Sequence, residues 1–166
     1  MLTSAILAAR ERRYQKKLRM SELLKKTVVS ITVNVPHEMR LSKRCLLFHR
    51  EMVGRVRLYL QNLGYTPENF VCDADEDGPY VLFALSASAL TTKRLCVTFE
   101  NNEPGGRLLD IDVLADGLVI GREEIGQKRR RCFLCSRPAH ECVAYQRHDR
   151  VQIISRVEEM LKVALS

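Results

Sequence analysis

Apolar and polar positions change their spacing along the chain, and the changes separate helices from strands. Residues 2–26 hold good helix formers, and Ile6, Arg10, Arg13 and Lys17 recur at three- and four-residue spacing, so a helix there carries its basic groups on one face. Residues 27–35 (TVVSITVNV) are β-branched and alternating, and Pro36 closes them as a strand. Residues 42–63 predict a second helix. Ser42 is its N-cap, Leu46, Met52, Val53, Val56, Leu60 and Leu63 form its apolar stripe, and Gly64 stops it. The acidic run 73–78 predicts a turn, 80–87 a strand, 88–94 a short helix and 95–100 (LCVTFE) another strand. After the turn NNEPGG (101–106), residues 107–114 form a strand that Asp116-Gly117 folds back into 118–121 as a hairpin. Residues 127–150 are irregular and basic, and 151–165 form an amphipathic closing helix. Strands interleaved with helices indicate an α+β (mixed α/β) layer fold.

Length and composition narrow the class. The 166 residues suit one domain, or a domain with a small appendage, and 46% hydrophobic with 28% charged residues is ordinary globular usage. No apolar run reaches the roughly 18 residues of a transmembrane helix. The opening MLTSAILAAR lacks the basic lead-in of a signal peptide. The lack of Trp and the 6% aromatics argue against a stacking platform for single-stranded nucleic acid. The net charge of +7 is uneven: residues 1–30 carry eight Lys/Arg against two acids, 122–166 carry ten against six, and 31–121 carry nine against twelve. Basic ends around an acidic middle suit a polyanion, whether a phosphorylated small molecule, nucleic acid or an acidic protein; solvated helix faces give the same counts.

Asp110 and Asp112 are the sharpest chemical feature. In a strand, residues two apart share a face, so Leu109, Ile111 and Val113 turn into the core while the carboxylates stand side by side. They repel each other, and a divalent cation relieves that; paired carboxylates suit Mg²⁺, which keeps phosphate oxygens among its ligands. A solvent-facing edge strand carries the same pattern. Gly105 and Gly106 allow close backbone approach to a ligand, and Arg107 can grip phosphate with its fork. Together with the basic ends these residues point to phosphoryl or nucleotidyl transfer.

Of six cysteines, Cys45, Cys72 and Cys96 sit singly in apolar surroundings and are expected to pack as small hydrophobes, reduced, in a cytoplasmic protein. The stretch RRRCFLCSRPAHECVAYQRH offers Cys132, Cys135, His140, Cys142 and His148. As a Cys₃His set, Cys132, Cys135, Cys142 and His148 can hold structural Zn²⁺; a metal-free thiol cluster fits the same spacing. No helix follows at finger-like spacing, so a nucleic-acid finger is a poor fit.

PGGRLLDIDVL, followed by RRRCFLC, Ala139, Cys142, His148 and an amphipathic helix, resembles the CitX family, the apo-citrate lyase phosphoribosyl-dephospho-CoA transferases or citrate lyase holo-acyl-carrier-protein synthases. The family pattern is approximately HPLGRL-x-DIDV, then R-x-CLLC…A-x-x-CAR…H. AARERRYQKKL, VVSITVNVP with Arg40, and Lys93 before CVTFE are also similar to family segments, so the resemblance spans nearly the whole chain and is most specific over 104–148. It implies a nucleotidyltransferase-like mixed sheet flanked by helices over 1–126, with a Cys/His-rich segment and closing helix over 127–166 on the same domain. The implied reaction transfers 2′-(5″-triphosphoribosyl)-3′-dephospho-CoA to a serine of citrate lyase's acyl carrier subunit and releases pyrophosphate. In it Asp110, Asp112 and Arg107 are catalytic. Asp110, Asp112 and Glu100, the last at the end of the preceding strand, hold Mg²⁺. Arg10, Arg13, Lys93 and Arg122 bind the triphosphate. The partners implied are the acyl carrier subunit and the triphosphoribosyl donor, with no membrane and no nucleic acid.

The chain departs from the pattern at several positions. The family's His before Pro104 is here Glu103, the Thr of its Thr-Gly is Asp77, the Arg of its Cys-Ala-Arg is Ala144, and the Ser before Arg122 is Gly121. Two rival classes remain at this level: a zinc-containing nucleic-acid-binding or regulatory module, and a homologue that binds the carrier without catalysis.

Overall fold

A computed structural model describes residues 2–166 of the chain. Five strands form one sheet in the order β2-β3-β1-β4-β5: β1 (Thr27–Val33), β2 (Glu68–Asp75), β3 (Gly78–Leu85), β4 (Leu109–Ala115) and β5 (Leu118–Ile120). Every pairing is antiparallel. The helices are α1 (Leu2–Leu24), α2 (Lys43–Asn62), α3 (Ala89–Asn102), α4 (Ala139–Ala144) and α5 (Arg150–Ala164). The α+β class therefore holds. Among the described residues, no helix is long and apolar enough to cross a membrane.

The two faces of the sheet differ in chemistry. On one, Val29, Ile31, Val33, Val81, Phe83, Leu109, Ile111 and Val113 form the main core with Phe48, Met52, Val56 and Leu60 of α2, Cys96 and Phe99 of α3, and Val157 and Leu161 of α5. Removing these side chains from water is the main source of stability. On the other face the register sets Ser30 opposite Asp112 and Thr32 opposite Asp110. Helix α1 covers this polar face, and its buried positions are Ala9, Arg13, Lys17 and Ser21, one every four residues. The shared basic face expected of this helix is thus its inner face.

Charge pins α1 across the sheet. Asp77, in the β2–β3 turn, has a carboxylate only 4% exposed. It accepts from Arg10 Nε at 3.0 Å and Nη2 at 3.1 Å and from Arg13 Nη2 at 2.6 Å. Arg40 Nη1 also donates to it, and Arg40 Nε donates to Val35 O at 3.1 Å. Burial works to raise the Asp77 carboxyl, but the bonds from Arg10 and Arg13 and the charge of Arg40 outweigh it and hold it below the ordinary aspartate value.

Several elements differ from expectation. Residues 95–100 are not a strand. They belong to α3, which runs unbroken from an N-cap in which Ser88 Oγ accepts from Thr91 N, and in it Thr92, Lys93, Cys96, Val97, Phe99 and Glu100 are buried at helical spacing. The β-branched run is overridden by helical burial that recurs from Thr92 to Glu100. Glu100 accordingly sits on a helix, not at a strand end. Strand β2 forms along the mostly exposed edge, with a register shift between Glu68 and Val71, where a sequence rich in Asn and Asp gives little β signal. In α2 the Ser42 cap and the helix hold, but Phe48 and His49 are buried while Leu46 and Leu63 are exposed. Cys45 and Cys96 pack in the core as expected, their thiols pushed up by burial to about 11 and about 12, whereas Cys72 is exposed on β2. The Asp116-Gly117 turn forms with both residues at positive φ, 50° and 76°.

The Gly105-Gly106 pair serves packing. A Cβ on Gly105 would lie 2.4 Å from Ala164 Cβ of α5, and one on Gly106 would lie 2.5 Å from Glu100 O. The expected role in admitting a ligand is replaced by the close seating of the loop between α3 and α5.

Asp77→Asn is expected to lower stability at pH 7 by about 3 kcal/mol, since it strips a buried carboxylate from clustered guanidiniums. Because the folded-state value is lowered, this stabilisation is full above the ordinary aspartate value near pH 4 and is lost as pH falls through the folded value. Chemical denaturation of wild type and variant from pH 7 down to pH 3 should show the gap narrowing below about pH 4; a gap constant with pH contradicts the assignment. Gly106→Ala should cost about 1–3 kcal/mol in the same measurement, because backbone must shift.

Candidate functional site

Asp110 and Asp112 project from the same face of β4, the face under α1, while Leu109, Ile111 and Val113 are buried on the other. Both carboxylates are about half open, 54% and 43% exposed. They line a cleft of about 400 Å³ whose other charged walls are Arg10, Arg13, Lys17, Arg40 and Asp77. Lys17 Nζ donates to Asp112 Oδ2 at 3.3 Å. Asp110 is half exposed at the wall of the cleft. Desolvation raises its carboxyl, the neighbouring Asp112 raises it further, and Arg130, Lys93 and Lys17 oppose both. Two carboxylates kept close at this cost are a hard-oxygen donor pair that a divalent cation would relieve.

A second buried carboxylate organises the other flank. Glu100 is 1% exposed and accepts from Arg122 Nη2 at 2.6 Å, Arg130 Nη2 at 2.5 Å and Ile111 N at 3.2 Å. Burial raises this carboxyl, and Arg130, Arg122 and Lys93 pull against the rise. Oε1 takes two of these donors and Oε2 one, so in this geometry Glu100 anchors two arginines. Arg130 Nη2 lies 3.6 Å from Asp110 Oδ1. Lys93 is buried and donates to Ile111 O at 2.8 Å; it shares a shallow cleft with Asp110, Arg122, Arg130 and His140.

Arg107 lies away from the aspartates' cleft. Its Nη2 donates to Arg131 O at 2.8 Å and Cys132 O at 3.1 Å, and its guanidinium stacks 5.3 Å from the Phe133 ring centroid. Of the expected site residues, then, the fold gathers Arg10 and Arg13 around Asp110 and Asp112, puts Lys93, Arg122 and Glu100 on the adjoining flank, and sends Arg107 to a neighbouring cavity. Sequence patterns did not mark Arg130, whose only signal was the triple-Arg run, or Asp77, which stood out only as a departure from the family's Thr.

The cysteine segment folds into a knuckle. An isolated bridge pairs Arg131 with Pro138, and Cys132 N donates to Arg137 O at 2.8 Å, closing the Cys-x-x-Cys loop. Helix α4, short and within the stretch expected to be irregular, brings in Cys142, and the link to α5 brings in His148. The ligand atoms of Cys132, Cys135, Cys142 and His148 all lie within 4.8 Å of one another, with Cys135 Sγ and Cys142 Sγ 3.5 Å apart. Thiolates about 2.3 Å from a tetrahedral ion stand at nearly this separation. His148 Nε2 is buried without a hydrogen-bond partner among the described residues, as suits a nitrogen that serves as a metal ligand. This cluster can hold a metal ion; His140 lies outside it.

The comparisons with known proteins agree with the family resemblance. The family model described as "CitX: Apo-citrate lyase phosphoribosyl-dephospho-CoA transferase" matches residues 2–164. A "Probable apo-citrate lyase phosphoribosyl-dephospho-CoA transferase" of Vibrio cholerae serotype O1 (strain M66-2) is 30% identical over 135 residues, covering 80% of this chain and 76% of that protein. The apo-citrate lyase phosphoribosyl-dephospho-CoA transferase of Escherichia coli O7:K1 is 28% identical over 135 residues, 81% of this chain and 74% of its own. "Protein CitXG" of Leuconostoc mesenteroides subsp. cremoris is 28% identical over 151 residues, 90% of this chain but 32% of that longer protein. With the match running from α1 to the end of α5, the chain belongs to the CitX family, the apo-citrate lyase phosphoribosyl-dephospho-CoA transferases.

Proposed function

We propose that the protein transfers the 2′-(5″-triphosphoribosyl)-3′-dephospho-CoA group to a serine of citrate lyase's acyl carrier subunit, with release of pyrophosphate. The observation that carries this reading is the joint projection of Asp110 and Asp112 into a cleft walled by Arg10, Arg13, Lys17 and Arg40. Four cations against three carboxylates leave the cleft positive, and a divalent cation adds to that, matching a polyphosphate. Asp110 and Asp112 are the residues that would hold Mg²⁺, which when bound shields charge on phosphate oxygens and on departing pyrophosphate.

The protein's own groups supply position and charge. Asp77 fixes the guanidiniums of Arg10, Arg13 and Arg40 at the cleft wall, so they meet the triphosphate already oriented. Glu100 does the same for Arg122 and Arg130 on the Asp110 side. Lys17 balances Asp112, and its flexible stem lets the ammonium turn to a phosphate in the cleft. The serine oxygen forms a bond to the α-phosphorus, the α–β phosphoanhydride bond breaks with its electron pair going to departing pyrophosphate, and the hydroxyl proton passes to solvent.

We assign Zn²⁺ to Cys132, Cys135, Cys142 and His148 as a structural ion: the set supplies four ligands and no open position, and its three thiols fit a reducing, cytoplasmic setting. The site ties the stretch that carries Arg130 to the start of α5.

Incubation with apo-carrier subunit, the triphosphoribosyl donor and Mg²⁺ should add the prosthetic-group mass to the carrier and release pyrophosphate. Asp110→Asn and Asp112→Asn should each slow this by about 100-fold or more while leaving the melting temperature within a few degrees. Carrier binding with no mass gain would instead mark a non-catalytic homologue, and full activity in either variant would remove the metal role. Elemental analysis of the purified protein should find stoichiometric zinc, lost in Cys142→Ser together with a drop in melting temperature; zinc-free protein of unchanged stability would refute the assignment.

A further inference from the structure

A cavity of about 700 Å³ adjoins the acidic cleft, within the range of small-molecule sites. The two share Asn34 and Arg40 in their walls, so a long ligand can occupy both. This cavity has a different chemistry. Val35, Pro36, Phe133 and Ile153 give it an apolar wall, Arg107, Arg130 and Arg131 a cationic one, and no Asp or Glu lines it. The apolar wall and the absence of acids suit a ligand that is anionic in places and organic elsewhere; Cys132, Cys142 and His148, which also line the cavity, belong to the zinc set assigned above.

The cations are not equivalent. Arg107 is held by Arg131 O, Cys132 O and the Phe133 ring, and Arg130 is held by Glu100. The Arg131 side chain is exposed and has no ion-pair or hydrogen-bond partner among the described residues, so its guanidinium is free for a ligand phosphate. The stacked Arg107–Phe133 pair offers a flat surface of the kind a base or an extended arm covers.

We propose that this cavity binds the dephospho-CoA portion of the donor, with Arg131 on its pyrophosphate, while the triphosphate reaches past Arg40 to Asp110 and Asp112. The proposal rests on the transferase reading for the identity of the ligand, and on the cavity's own lining for its location.

Isothermal titration of the full chain with dephospho-CoA, without Mg²⁺, tests it. Binding should persist within about twofold in Asp112→Asn and weaken about tenfold or more in Arg131→Glu and in Val143→Asp, the cost of replacing a charge-assisted contact by repulsion. Val143 lines the cavity and is 77% exposed, so neither change disturbs the core; thermal melts verify this. ADP and 4′-phosphopantetheine, titrated separately, report which half of the ligand supplies the affinity; weakening of at least one of them by Arg131→Glu agrees with the proposal, and indifference of both to it counts against it. No binding of dephospho-CoA, or binding sensitive to Asp112→Asn and indifferent to the cavity variants, overturns it. In the carrier assay, a raised KM for the donor in Arg131→Glu with mass gain restored at saturation supports it. A mass gain with unchanged KM removes the cavity proposal but keeps the transferase. Cavity-dependent binding of dephospho-CoA with no mass gain in the wild-type protein removes the transferase and keeps the site.

Discussion

A single buried carboxylate, Asp77, holds the polar half of the molecule together. It gathers Arg10 and Arg13 from α1 and Arg40 from the segment after β1. Three like charges would otherwise repel each other and drift into solvent. Around Asp77, which is nearly shut off from water, they become a fixed wall. Helix α1 has no apolar stripe to dock with, so this ionic pin and the burial of Ala9, Arg13, Lys17 and Ser21 against the sheet determine where it lies.

Glu100 repeats the device on the other side of Asp110, with Arg122 and Arg130. The two aspartates thus sit between two arginine sets, each set locked by a carboxylate of its own. Had Asp110 and Asp112 been the nearest acids to every arginine, the guanidiniums would have neutralised them and closed the cleft. Buried counter-charges elsewhere keep the arginines oriented while leaving the aspartates half open. Stability comes mainly from the opposite, apolar face of the sheet, where α2, α3 and α5 pack. The division lets the polar face carry mutually repelling groups that a core could not.

Much of this was legible in the chain itself. The period-two spacing of Asp110 and Asp112 between Leu109, Ile111 and Val113 fixes their shared face, and the Asp-Gly turn fixes the hairpin that follows. The basic spacing of α1 and the Cys-x-x-Cys pair with Cys142 and His148 were likewise visible, because each is a local period. The strand expected over 95–100 failed because β-branched composition is a weak signal against helical burial extending beyond the window. Strand β2 escaped because an exposed edge needs no apolar alternation; its neighbour β3 supplies the pairing.

The sequence by itself determined the α+β class, the paired aspartates on one face and the residue types for a Cys₃His cluster, which are set by spacing along the chain, and its motifs carried the resemblance to the family. Only the tertiary structure decided what stands opposite what. It placed Asp77 under three arginines, turned Glu100 from a strand-end carboxylate into a helix-borne anchor, moved Arg107 onto Phe133, and used Gly105 and Gly106 for packing against α5 and α3. Apart from Gly106 beside Glu100, those pairings join residues from 22 to 67 positions apart, and Coulomb attraction in a buried setting depends on distance in space, which no local period encodes.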